Sequence, residues 1–296
     1  MKISIVITAF KEPDTIGRAI EAVLKNKIIK KFEIVVACPD EETKKVVNFY
    51  AQKYKNVRYF RDPGKGKSYA LNLILKQIAC DLLILTDGDV YVGENSITSL
   101  LSHFSDAKVG IVSGRPVSAS PKNKMLGFWS HLLLDAGAHV ARNESFESGK
   151  IVEASGYLMA MRSGVIREFP LNVAEDAIIP YLFWKKGYKT SYEENAIVYV
   201  KNPDNFSDFV KQRVRTAKAH ENIRKIAPDF LRVKSFRNEL AKGWHRALAY
   251  PKTMKELFWT LLLFPARLYI WMLVFYEDRI LRKHYGDGWE RVESTK

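Results

Sequence analysis

The chain has 296 residues, 47% of them hydrophobic, which excludes a disordered or fibrous protein and allows one large domain or a domain with an appendage. Its formal charge is +14, and +9 of that falls in residues 201–296, so an anionic partner is expected: nucleic acid, a membrane surface or a phosphate-bearing substrate. Cys38 and Cys80 are too few for a disulfide framework, and each adjoins a predicted strand, which points to buried free thiols in a reducing compartment.

Taken in order, Ile3–Thr8 reads as a strand, and residues 14–24 follow as a helix with Ile16, Ala19, Ile20, Val23 and Leu24 on one face. Pro13 and Asp14 mark its start. Residues 32–37 and 57–60 read as strands, and 42–54 and 68–78 as helices. A fourth strand, 82–86, runs without polar alternation, as in a sheet covered on both faces, and such sheets place ligands at the carboxyl ends of their strands. It ends in Asp87-Gly88-Asp89. Two carboxylates so close are costly without a cation, and all-oxygen ligation favours Mg2+ or Mn2+. Gly88 leaves room for a ligand to approach the backbone, although Asp-Gly is also ordinary turn chemistry.

Next come a predicted helix at 96–104 and a strand at 110–113, after which regularity falls off through residue 149, where substrate-specific loops are expected. Residues 151–162 read as a strand with a break at Ser155-Gly156, and Glu175-Asp176 opens a helix running to about Lys186. Acidic residues in a first helical turn complement the helix dipole, so spacing alone leaves capping and catalysis open for this pair. The alternation of strands and helices predicts an α/β fold with a mostly parallel sheet.

One phosphate motif is excluded. Gly66-Lys67-Ser68 imitates the end of a P-loop, but Arg61 stands where its first glycine is required, and the segment follows the third strand instead of the first. A basic loop here can still neutralise a diphosphate.

Over residues 1 to about 216, the order of these motifs resembles family 2 glycosyltransferases of the GT-A (Rossmann-like) fold. Val6-Ile7-Thr8-Ala9-Phe10-Lys11-Glu12 is similar to the family's P-A-Y-N-E opening, which implies that Ala9 and Glu12 border the nucleotide base. Asp40 falls in the segment matching V-V-D-D-G-S and is the implied base contact, with Cys38 replacing an acid. Gly64-Lys65-Gly66-Lys67 through Ala70, Leu71 and Asn72 resembles the glycine-lysine segment, and Asp87-Gly88-Asp89 the D-x-D motif. Ser155-Gly156 with Met159 to Arg162 resembles the acceptor-side strand, and Glu175-Asp176 the E-D pair whose aspartate is the general base. Gln212-Arg213-Val214-Arg215-Thr216 is similar to the Q-x-x-R-W of polymerising members, with Thr216 where they carry Trp, so chain elongation is less expected.

The resemblance therefore implies donor contacts at Ala9, Glu12, Asp40, Lys67, Asp87, Gln212 and Arg215, a metal (Mn2+ or Mg2+) on Asp89 assisted by Asp87, acceptor-side Gly156 and Glu175, and Asp176 as catalytic base. The expected partners are a UDP- or GDP-linked sugar donor and a lipid-linked or glycan acceptor. The first residues pass directly into a six-residue apolar strand, too short for a signal peptide, so the catalytic part is expected to be cytoplasmic.

A catalytic domain is expected over residues 1–202 and a helical, membrane-interface region over 203–296. Residues 208–255 carry 13 Lys/Arg against 4 Asp/Glu with Phe209, Phe230, Phe236, Trp244 and Tyr250 interspersed. Residues 257–276 form an apolar segment whose only charge is Arg267 and whose only helix breaker is Pro265. The segment is long enough to cross a bilayer, or Pro265 splits it into two interfacial helices. Lys252 and Lys255 before it, and Arg279, Arg282 and Lys283 after it, give no orientation bias. A buried helix pair or dimer contact is the plainer reading, but the preceding basic run favours attachment to the cytoplasmic face of a membrane. A basic nucleic-acid-binding protein would explain the charge but leaves Asp87, Asp89 and Asp176 without a role, so no nucleic-acid partner is expected. A non-catalytic nucleotide-sugar scaffold is the other alternative.

Overall fold

The structure, a computed structural model, describes residues 1–28, 31–227, 243–282, 285–286 and 293–295. Phe230, Phe236 and Lys283 lie outside the described residues. The strands are β1 (Ile3–Thr8), β2 (Phe32–Cys38), β3 (Val57–Arg61), β4 (Leu82–Asp87), β5 (Val90–Val92), β6 (Val109–Ser118), β7 (Leu158–Arg162) and β8 (Lys189–Val200). They form one eight-stranded sheet in the order β3-β2-β1-β4-β7-β6-β8-β5. The half formed by β3, β2, β1 and β4 is parallel, while β7 runs antiparallel to both β4 and β6.

Helices cover both faces. On one, α1 (Ile16–Leu24), α2 (Glu41–Lys53) and α4 (Ser96–Ser102) pack Ile16, Ile20, Val47 and Ile97 against Ile3, Ile5 and Ile7 of β1 and their neighbours. On the other, α3 (Lys67–Gln77), α7 (Glu175–Lys185) and α8 (Phe206–Ile226) bury Leu71, Ile74, Ile178 and Ile223 against Val6, Leu83 and Leu85. Successive strand side chains point to opposite faces, so a strand with two covered faces has no solvent side on which to place polar residues. All six residues of β1 are accordingly buried.

Beyond β6 the structure departs from the expected irregular stretch. After β6, which extends to Ser118, α5 (Met125–Leu132) continues through a π-helical segment, Leu133–His139, into α6 (Val140–Glu147). The π turn breaks the 3.6-residue repeat by which a helix is recognised. Gly127 is dictated by packing, since a Cβ there would lie 2.0 Å from the Pro121 carbonyl oxygen. The expected strand over 151–162 is also shorter, and only Leu158–Arg162 joins the sheet. The preceding backbone is engaged elsewhere: Val152 N–H donates to Thr190 Oγ1 (2.6 Å), Ser155 N–H to Ser113 Oγ (3.0 Å), and buried Arg142 donates to the Glu153 and Ala154 carbonyls.

A third apolar cluster joins α5 (Phe128, Trp129, Leu132) and α8 (Phe209, Val214) to a C-terminal helix, Met254–Phe275, through Leu263, Ala266, Ile270, Trp271 and Val274. Pro265 lies inside this helix and does not divide it, contrary to the two-helix alternative.

Candidate active site

Parallel pairing brings Thr8 of β1 opposite Asp87 of β4 at the carboxyl ends of the two strands. Thr8 Oγ1 donates to Asp87 Oδ1 (2.8 Å), and Gly88 N–H donates to the Thr8 carbonyl (2.9 Å). Gly88 is also required by packing. A Cβ at that position would fall 2.3 Å from Glu12 Oε2 and 2.8 Å from Ala9 Cβ, so its bareness lets the opening motif pack against the Asp87-Gly88-Asp89 turn.

Lys67 stands at the first turn of α3, delivered by Gly66, whose φ of 100° lies in the region that favours glycine. Its Nζ lies 2.7 Å from Asp87 Oδ1 and 2.8 Å from Glu175 Oε1, and all three side chains are about four-fifths buried or more. Burial opposes the charge on Lys67, but Asp87 and then Glu175 hold it protonated well above the ordinary lysine range. Burial raises the Glu175 carboxyl, Asp176 adds to the rise, and Lys67 opposes it. A Cβ on Gly156 would sit 3.3 Å from Glu175 Oε1, 3.8 Å from Asp176 Cβ and 4.0 Å from Lys67 Nζ, so the glycine of the Ser155-Gly156 segment faces these groups across a small crevice. Ala154 N–H donates to the Asp176 carbonyl (2.9 Å), fixing that segment to the start of α7. Glu175 and Asp176 occupy the first turn of α7, whose N-cap, Ala174, offers no side-chain cap, so both carboxylates complement the helix dipole there while Glu175 also pairs with Lys67.

Burial and then Asp87 push the Asp89 carboxyl up to about 6, while Lys67 and Arg215 pull it down. The site thus gathers more carboxylate charge than Lys67 neutralises, and a hard cation would relieve the repulsion between Asp87 and Asp89. Among the described residues no group of three or more His, Cys, Asp or Glu side chains forms a ready-made metal cage. The residues fit an ion held by one or two carboxylates that takes its other oxygens from a diphosphate and water, the usual arrangement for Mg2+ beside phosphates.

α8 closes the site. Arg215 acts electrostatically on Asp89, and His220 Nε2 lies 3.8 Å from Asp176 Oδ1. Gln212 is on the same helix, where its carbonyl accepts a hydrogen bond from Thr216 Oγ1 (2.9 Å). Tyr157 was not anticipated from the sequence. Burial and then Asp89 raise its phenol, which Arg213 and Arg215 lower, so both the aspartates and α8 act on it electrostatically. Its position directly after Ser155-Gly156 was the available signal. Asp40 lies apart from the Lys67 cluster as the N-cap of α2, accepting from Thr43 N–H (2.9 Å) and Lys11 N–H (2.8 Å). Burial works against its charge, and hydrogen bonds from the Lys11 backbone and from the Thr43 side chain and backbone more than offset that, holding its carboxyl below the usual range. The bond to Lys11 also stabilises that residue's left-handed backbone (φ 54°).

A mannosyltransferase from Pyrobaculum calidifontis, solved in complex with GDP-Man and Mn2+, superposes with a TM-score of 0.67 at 16% identity, covering 95% of this chain and 88% of that one. Staphylococcus aureus TarS 1–349 in complex with UDP-GlcNAc gives 0.51 at 15% identity, covering 96% and 93%. In sequence, the poly-beta-1,6-N-acetyl-D-glucosamine synthase of S. aureus (strain MSSA476) is 24% identical over 75% of this chain and 55% of the synthase. An N-acetylglucosaminyltransferase of Azorhizobium caulinodans is 22% identical over 74% of this chain and 59% of its own length. The chain therefore spans little more than half the length of these curated relatives. A family model described as "Glycosyltransferase like family 2" matches residues 2–219, and the chain belongs to that family.

Proposed function

We propose that this chain is an inverting, metal-dependent glycosyltransferase that moves a sugar from a UDP- or GDP-linked donor to a membrane-associated acceptor, a lipid-linked phosphate or glycan. The observation carrying this reading is the convergence of Asp87, Lys67, Gly156 and Glu175 on one crevice, with Asp176 beside it and Asp89 two residues past Asp87. Asp89 and Asp87 would hold Mn2+ or Mg2+, which supplies charge stabilisation to the departing nucleoside diphosphate. Ala9, Glu12 and Asp40 border the base, while Lys67, Gln212 and Arg215 balance the phosphates.

Asp176 accepts the proton of an acceptor hydroxyl as its oxygen attacks the anomeric carbon. The bond from that carbon to the diphosphate oxygen breaks on the opposite side, and the diphosphate leaves with the electron pair. Glu175 and Gly156 shape the acceptor side, and His220, close to Asp176, belongs to its setting. An acceptor that is already an anionic phosphate needs less of Asp176. In this proposal residues 1–202 form the catalytic domain and 203–296 the membrane-interface region, on the cytoplasmic face. The presence of Thr216 where polymerising members carry Trp favours single transfer.

The test offers a panel of UDP- and GDP-sugars with Mn2+ and with chelator, recording donor cleavage and thermal stabilisation. One donor is expected to be cleaved in the presence of Mn2+ and spared with chelator. Absence of cleavage and stabilisation across the panel would contradict the reading.

A further inference from the structure

Among the described residues, the helix Met254–Phe275 and the π-helical turn Tyr276–Ile280 that extends it are held by the protein along one side. Thr260, Leu263, Ala266, Ile270 and Val274 recur at three- and four-residue spacing and are buried against α5 and α8. On the opposite side Met254, Phe258, Leu261, Leu268, Met272 and Ile280 are each more than half exposed. They define one continuous apolar stripe on the solvent side, far larger than scattered surface hydrophobics account for.

Both ends of this rod are fastened to the body. Near its start Trp129 Nε1–H donates to the Trp259 carbonyl (2.7 Å), and past its end Lys218 Nζ pairs with Glu277 Oε2 (2.8 Å). A 22-residue helix is about 33 Å long, so a spanning helix would carry one end a full bilayer thickness from the domain. Here α8 contacts the helix through Phe209 and Val214 and pairs with Glu277 through Lys218, so the helix lies along the domain surface. The charges agree with that geometry. Lys252 and Lys255 at one end and Arg279 and Arg282 at the other are all exposed, which suits an anionic headgroup layer meeting both ends at one depth.

Given the membrane association proposed above, we infer that Met254–Ile280 lies in the plane of an anionic lipid surface, its exposed stripe among the upper acyl chains, and does not cross the bilayer. The same α8 carries Arg215, which acts electrostatically on Asp89, so among the described elements α8 links the candidate site to the lipid-lying helix. Packed helix axes are about 8–10 Å apart, which sets the site close to headgroup level, where a lipid-linked phosphate is presented.

The test uses the full chain with sealed phosphatidylglycerol–phosphatidylcholine vesicles. NBD is attached at Met254→Cys or at Ile280→Cys, each in a Cys80→Ser background. Flotation with the vesicles is expected, and dithionite added outside should bleach both labels, at similar shallow depth. Flotation with one label protected would overturn the in-plane placement alone and leave membrane association standing. Failure of the chain to float, or self-association through the stripe without lipid binding, would overturn the membrane reading itself. The triple variant Leu261→Asp, Leu268→Asp, Met272→Asp changes exposed positions only and should keep the wild-type melting temperature while lipid partitioning drops at least about tenfold. Wild-type partitioning by a folded triple variant would also refute the inference. Deleting the helix is a poorer probe, because Phe128 and Trp129 lose their cover.

Discussion

Replacing Lys67 by Met keeps most of the side-chain stem and removes the ammonium from between Asp87 and Glu175. Two charge-assisted contacts of 2.7 and 2.8 Å disappear, and two carboxylates with side chains 20% and 15% exposed are left facing each other. Breaking a buried ion pair by removing one partner costs about 3–5 kcal/mol, and the water that reaches this partly open crevice lowers the expectation to about 2–3 kcal/mol. The loss should depend on pH in a defined direction. Lys67 opposes the upward shift of Glu175, so without it the folded-state pKa of Glu175 rises further above its unfolded value. An acid raised in the folded state destabilises above its unfolded pKa, so the deficit should be largest near neutral pH and shrink as pH falls through the raised folded value. Guanidinium unfolding of both proteins at pH 7.5 and 5, in chelator so that a bound ion does not substitute for the ammonium, measures this. A variant as stable as wild type at pH 7.5, or a deficit unchanged at pH 5, would refute the reasoning.

Three further outcomes are expected. Asp176→Asn should nearly abolish transfer to a sugar hydroxyl while metal-dependent donor binding survives; turnover at the wild-type rate would remove Asp176 from the base role. Gly88→Ala should lower stability by about 1–3 kcal/mol, since its Cβ would meet Glu12 and Ala9 at 2.3 and 2.8 Å, and an unchanged unfolding midpoint would show that the turn relaxes freely. Burial, followed by Asp40 and Asp62, raises the Cys38 thiol to about 12, so alkylation of native protein at pH 8 should mark Cys80 and spare Cys38 by mass spectrometry.

The parallel half of the sheet is legible in the sequence because its strands are unbroken apolar runs and its helices amphipathic, and every boundary through α3 falls within two residues of expectation. Legibility fails where tertiary contacts override local pattern. β8 is hidden by Glu193-Glu194-Asn195, which fall at a register break where Ser113 pairs with Tyr192 and Arg115 with Ile197. Glu193 is satisfied by His103 Nε2 at 2.8 Å, a partner 90 residues away. The α5–α6 rod is hidden by its π turn and by Gly127, whose necessity comes from a contact with Pro121. Within the candidate site, the motifs marked Lys67, Asp87, Gly156 and Glu175, which do converge. That Lys67 would bridge two carboxylates, and that Tyr157 and His220 would stand beside the aspartates, depends on the packing of α3, α7 and α8, which no local spacing encodes. That Gly88 also makes room for Glu12 and Ala9 comes from tertiary packing that its turn sequence does not reveal.

The central claim is that a divalent ion and the carboxylates after β4 together hold a nucleotide diphosphate. Calorimetric titration of the productive donor into wild type and Asp89→Asn, each with Mn2+ and with chelator, tests it most directly. Binding is expected only for wild type with Mn2+, falling at least about tenfold in the other three combinations. Equal affinity in all four would contradict it.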